Sequence, residues 1–154
     1  MECPQKHVIL AAVDESENSR RAMDYLARWA ACSEEARIVL VHVIKEPSED
    51  VLPDEDERER YIGEKREAAE ALLAKAKQGL ESLGVPDVRI ATKTLSCEPP
   101  TTIADVLLEE REANAYDTMV LGRRGMSKKE EYIFGSVTAS LIRDASDVSI
   151  WVVA

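Results

Sequence analysis

Five short apolar runs alternate along the chain with four stretches in which apolar residues recur at helical spacing. The runs are HVILAAV (7–13), RIVLVHVI (37–44), VRIATKTL (88–95), TMVLG (118–122) and SIWVV (149–153). Near-continuous apolarity in the second suits a strand buried on both faces, as in a parallel sheet. The third alternates more, which predicts a strand nearer a sheet edge. One helical face is read from Ala22, Leu26, Trp29 and Ala30, and a longer one from Ala69, Leu72, Leu73, Ala76, Leu80 and Leu83. Two more follow, from Ile103, Val106 and Leu107 and from Val137, Leu141 and Ala145.

The residues between these runs agree with that division. DESENSRR (14–21) supplies N-caps for the first helix, Gly84 with Pro86 stops the second, and Thr102 and Asp105 form a T-x-x-D arrangement close to a capping box. The acidic stretch EPSEDVLPDEDERER (46–60), with two prolines, reads as a solvated loop running into a helix start. The resulting order βαβαβαβαβ predicts an α/β protein: a doubly wound, open, parallel five-stranded sheet with helices on both faces and right-handed crossovers. No internal repeat or linker interrupts it, so residues 1–154 read as a single domain, long enough to bury a core without disulfides or metals.

Charge and cysteine content narrow the partners. A formal net charge of −10 argues against nucleic acid, whose phosphates are bound by surplus Lys and Arg. No apolar run approaches the ~20 residues that span a bilayer, and the first fifteen residues lack the apolar core of a signal peptide. A cytoplasmic location with no membrane partner is the expectation. Cys3, Cys32 and Cys97 are far apart and never in a C-x-x-C arrangement, which supports neither a disulfide framework nor a zinc site.

Against this acidic background LGRRGMSKKEEYIFGSVTASLI (121–142) stands out. It holds three of the six glycines, Gly122, Gly125 and Gly135, and gathers Arg123, Arg124, Lys128 and Lys129. In open parallel sheets ligands bind at the carboxyl ends of strands where the strand order reverses. Asp14 ends the first strand and Gly122 the fourth; were those strands neighbours, a carboxylate would face a glycine-rich, basic loop. Glycine lets a backbone approach a phosphate closely, and successive N–H groups make an anion-binding concavity. Gly135, Ser136, Val137 and Thr138 open a helix whose unpaired N–H groups and dipole favour an anion, with two hydroxyls as further donors. The plainer reading is a surface loop followed by an ordinary helix cap. No lysine follows Gly135 as in a P-loop, and G-x-G-x-x-G is missing.

The spacing G-x-x-G, nine residues, G-S, carried by Gly122, Gly125, Gly135 and Ser136, resembles the ATP-binding branch of the universal stress proteins, as do GSVT, the first-strand Asp14 and the second-strand VHVI. The resemblance covers residues 7–153. It implies a sheet order 3-2-1-4-5, with Asp14 at the ribose and the backbone near Val13 and Val43 at adenine. Gly122, Gly125, Gly135, Ser136, Val137 and Thr138 would line the ribose and phosphates, and Ala12, Leu121 and Arg123 adjoin these positions. Arg124 stands where the family often has His, SCEPP (96–100) replaces a common glycine-containing loop, and Val148 occupies a place often held by proline.

The implied function is a nucleotide-dependent regulatory binding module that carries ATP, with Mg²⁺ as its companion, and acts on an unidentified protein partner. A slow ATP hydrolase or nucleotidyl-transferring enzyme is the alternative, with Arg123, Arg124 and Lys128 as its charge-stabilising groups. An ATP-independent dimeric scaffold is the third reading. No catalytic residue is assigned. The apolar final strand, Ser149 to Val153, would lie at an edge with nothing charged after it, which predicts a two-fold homodimer through that strand.

Other candidate residues have structural readings. His42 lies within a strand and His7 at a strand start, neither at triad or ligand spacing. Glu15 and Glu17 either hold Mg²⁺ beside the phosphates or complement the dipole of the following helix, the commoner role for acids there. Cys97 next to Glu98 has no setting that would lower a thiol pKa, and Trp29 and Trp151 read as core and interface residues.

Overall fold

A computed structural model describes residues 7–123 and 134–154. The elements are β1 (Val8–Ala12), α1 (Glu17–Ala31), β2 (Arg37–Lys45), α2 (Glu55–Ser82), a 3-10 turn (Asp87–Arg89), β3 (Ile90–Cys97), α3 (Ile103–Asn114), β4 (Thr118–Gly122), α4 (Ser136–Asp144) and β5 (Ser149–Val153). All neighbouring strands pair parallel in the order β3-β2-β1-β4-β5, with Ile9 opposite Ile38 and Thr118, and Val120 opposite Trp151. The period of two along each strand divides the core. Ile9, Ala11, Ile38, Leu40 and Val120 pack under α1 and α2, while Leu10, Val41, Met119 and Leu121 pack under α3 and α4.

Helix α1 begins where Ser16 accepts from the Ser19 N–H, and it buries Ala22, Leu26 and Ala30 on the predicted face. Trp29 is only partly buried. At its far end the Arg89 guanidinium donates to the Ala30 carbonyl (3.0 Å) and the Ser33 carbonyl, placing a cation where the helix dipole is negative. Helix α3 carries the complete capping box of Thr102 and Asp105. Gly84, at φ +102°, supplies the left-handed residue that ends α2.

Two boundaries differ from the pattern. Helix α2 starts at Glu55, within the stretch read as a loop running into a helix start and well before its apolar face, because Asp54 caps it and Glu55, Asp56 and Glu57 complement its dipole. Its first buried residue is Ala69, so apolar periodicity carries no signal of the preceding turns. Strand β3 begins at Ile90 rather than 88, since Val88 lies 89% exposed in the 3-10 turn, and it runs on to Cys97. Its edge position is as expected.

A buried polar knot ties β3 to α3. Glu110 accepts from Lys93 Nζ with both oxygens (2.9 and 2.8 Å), from the Tyr116 hydroxyl (3.0 Å) and from Asn114 Nδ2 (3.0 Å). Burial, then the bond to Glu110, pushes the Tyr116 hydroxyl well above its ordinary pKa. Among the described residues no helix is long and apolar enough to cross a membrane.

Candidate functional site

The sheet order makes β1 and β4 neighbours, so Asp14, leaving β1, and Gly122, ending β4, share the carboxyl end of the sheet. The chain is tightly held there. The Val13 N–H donates to the Val41 carbonyl (2.8 Å), and the Val13 carbonyl lies 2.7 Å from His42 Nδ1. The Asp14 N–H donates to Ser19 Oγ (3.0 Å), and Asp14 Oδ1 accepts from the Ser16 N–H (2.8 Å). One carboxylate oxygen thus organises the turn, leaving Oδ2 for another donor.

Gly122 has a packing requirement of its own. A Cβ there would come within 2.8 Å of Asn18 and of the Ser19 backbone nitrogen, so the missing side chain lets α1 pack against the end of β4. Arg123 and Gly135 form a base that is tied to β5. Arg123 donates its N–H to the Val153 carbonyl (2.7 Å) and accepts from the Gly135 N–H (3.0 Å), while Thr138 Oγ1 donates to the Gly122 carbonyl (3.1 Å). Thr138 is 3% exposed, so its hydroxyl fastens this base and Ser136, which is exposed, carries the hydroxyl open to a ligand. Gly125, with Arg124, Lys128 and Lys129, lies outside the described residues.

At Gly135, α4 begins with no side-chain cap, and its first-turn N–H groups have no partner within the helix. The backbone of β2 supplies a second set of polar groups. Val41 turns its carbonyl to β1, and Glu46 donates to Cys97 of β3 (2.9 Å), so odd residues of β2 face β1 and even ones face β3. Val43 therefore presents its N–H and carbonyl to the space that β1 vacates at Asp14. The side chains of Val13, Val43 and Leu121 belong to the core, with Ala12 packed against it, so only their backbones can meet a ligand.

A groove of about 310 Å³ opens between the end of β2, the loop before α3 and the first turn of α4, lined by Lys45, Glu46, Thr101, Ile103, Val137 and Ser140 among others. Of the residues singled out in the sequence, Ser136 and Val137 line this groove. Lys45, Glu46, Thr101, Ile103 and Ser140 line it too and were not singled out, although the unusual Pro99–Pro100 loop marks one wall. A larger hollow, about 560 Å³, lies between α2 and β3, and two of the three cations that line it are already paired: Lys77 with Asp87 (2.6 Å) and Lys93 with Glu110 (2.8 Å). Glu17 pairs with Arg21 (2.6 Å) in the first turn of α1, in keeping with the dipole role. Among the described residues no group of three or more His, Cys, Asp or Glu side chains could hold a metal ion. Burial raises the Cys97 thiol pKa.

An open parallel sheet in the order β3-β2-β1-β4-β5 with helices packed on both faces defines a doubly wound α/β protein. The model of the universal stress protein family matches residues 6–154, and the chain belongs to that family. Similar solved structures include the universal stress protein UspA from Lactobacillus plantarum, with TM-score 0.82 and 16% identity over 97% of this chain and 99% of that one. Another is the universal stress protein from Archaeoglobus fulgidus in complex with dAMP (TM-score 0.61, 19% identity, 96% and 98% covered). A third is a universal stress protein in complex with cAMP (TM-score 0.66, 21% identity, 96% of both chains). At these identities the likeness is one of fold. No curated protein matches the chain.

Proposed function

We propose that the chain is a regulatory protein that holds ATP between the Asp14 turn and the first turn of α4, and changes its protein contacts with the nucleotide it carries. The carrying observation is the uncapped α4 N-terminus at the same end of the sheet as Asp14. Its first-turn N–H groups, without partners inside the helix, and its dipole suit phosphate oxygens, Asp14 Oδ2 suits a ribose hydroxyl, and the Val43 N–H and carbonyl suit the edge of a base. Two structural relatives solved with adenine nucleotides support the same use of the fold. A companion Mg²⁺ would take phosphate oxygens and water as ligands, since Glu17 is engaged by Arg21.

Calorimetry with ATP, AMP and adenosine tests this reading. ATP should bind most tightly, and Ser136→Ala should weaken it about fivefold, the loss of one hydrogen bond. Equal affinities for adenosine and ATP at low salt would remove the phosphate part of the proposal. The groups around the cleft are suited to binding rather than to proton transfer, so turnover should fall far below the roughly 10 s⁻¹ typical of enzymes. Phosphate release at that rate would make the chain a hydrolase instead.

The reading includes a two-fold dimer through β5. The Ser149 N–H and the Val153 carbonyl bond to the β4 side, so the odd residues of β5 face inward. Ile150 and Val152 therefore turn their N–H and carbonyl groups to the free edge, where a second copy can pair antiparallel.

A further inference from the structure

We infer that His42 and Ser19 together clamp the peptide unit that carries Asp14, and that His42 is the positioning residue that sets this carboxylate for a ribose. This rests on the nucleotide reading above. The Val13 carbonyl and the Asp14 N–H are the two poles of one planar peptide unit. The carbonyl meets His42 Nδ1 at 2.7 Å, from β2, and the N–H meets Ser19 Oγ at 3.0 Å, from α1. A carbonyl oxygen only accepts, so Nδ1 carries the proton.

With both poles held from different elements, the plane cannot rotate about its flanking bonds without breaking one hydrogen bond. The Cα of Asp14 follows that plane. Neither clamping residue is free to drift. Ser19 is 3% exposed and its backbone nitrogen is pressed against Gly122, while His42 sits between Val41, which anchors the Val13 N–H, and the buried Val43. The bond to Ser16 then fixes one carboxylate oxygen and leaves the other in a set direction. A strand end followed by a loop would otherwise sample several orientations, and ligand binding would have to order it. The assignment gives a chemical role to the histidine in VHVI without making it a ligand or a base.

The test compares ATP with 2′,3′-dideoxy-ATP, which lacks the hydroxyls that Asp14 would meet, in wild type, His42→Leu and His42→Asn. Wild type should prefer ATP. His42→Leu should bind ATP roughly tenfold more weakly and dideoxy-ATP unchanged, and the Asn amide donor should restore most of the loss. Amide exchange at Asp14 should quicken in His42→Leu and slow again in His42→Asn. An undiminished ATP preference in His42→Leu, or equal losses for both nucleotides, overturns the clamp while leaving the nucleotide site standing. Wild type that binds neither nucleotide overturns the nucleotide reading itself and the ribose role with it.

Discussion

The two edges of the sheet are built from opposite materials. At β3 the strand sets Thr92, Lys93, Thr94 and Ser96 beside the apolar Ile90, Ala91, Leu95 and Cys97, with Lys93 tied to Glu110 and with α2 beside the strand. At β5 they are Ile150, Trp151, Val152 and Val153, without a charge among them. Trp151 joins an aromatic row with Trp29 (centroids 5.0 Å apart) and the exposed Tyr25 (6.0 Å) on the α1 side of that edge. Both strands leave alternate N–H and carbonyl groups unpaired on their outer side. The β3 edge is guarded against another strand by a lysine and small polar residues, and among the described residues the β5 edge has no such guard. Edges of one sheet need not be treated alike: one is closed by polar chemistry, and the proposed dimer would close the other.

Val152→Pro should break that contrast with the largest effect. It removes an N–H that faces the free edge, and dimer affinity should fall at least about a hundredfold. Light scattering should show monomer or aggregate, and an undisturbed dimer would reject the β5 interface. The matching substitution on the other side, Thr94→Pro, should leave the oligomeric state of the wild type.

A smaller effect is expected from Lys93→Ala, which strips the paired cation from a Glu110 side chain 7% exposed. Because Lys93 itself is 43% exposed and Tyr116 and Asn114 still donate, the cost should be about 2 kcal/mol rather than the larger loss of a fully buried pair. Urea unfolding measures it. A loss of dimer instead of stability would mean that the β3 edge, too, takes part in assembly.

The smallest effect belongs to the helix that β3 feeds. Asp105 is held below its ordinary pKa by the Thr102 side-chain hydrogen bond, then by the bond to the Thr102 backbone. A depressed carboxyl contributes stability above the ordinary carboxylate range, and that contribution is lost as pH falls through the folded value. The stability gap between wild type and Thr102→Val should therefore narrow between pH 7 and pH 3 in urea titrations. A gap of equal size at both would show that Asp105 contributes nothing there.

The apolar patterning of the chain was enough to read the order of elements, the parallel sheet and the helix stops, because each burial face repeats with its own period. Gly84, Thr102 and Asp105 could be read as caps since capping is local chemistry, satisfied within a few residues. The family spacing of Gly122, Gly135 and Ser136 marked the site region for the same reason: it is a pattern in one segment. The first turns of α2 were hidden because a helix that buries nothing before Ala69 has no apolar rhythm to display.

Other facts depend on residues distant in sequence meeting in space. That Gly122 makes room for Asn18 and Ser19, that Thr138 spends its hydroxyl on the Gly122 carbonyl, and that His42 holds the Val13 carbonyl all require packed strands and helices. The groove walls at Lys45, Thr101 and Ser140 come from the end of β2, the loop before α3 and helix α4, and have no common spacing. The order of residues along the chain is enough to say which prefer burial, which stop a helix and which can approach an anion. The tertiary structure alone decided which polar groups those residues spend on one another and which remain for a ligand, because a hydrogen bond is made only once both partners have been brought within about 3 Å.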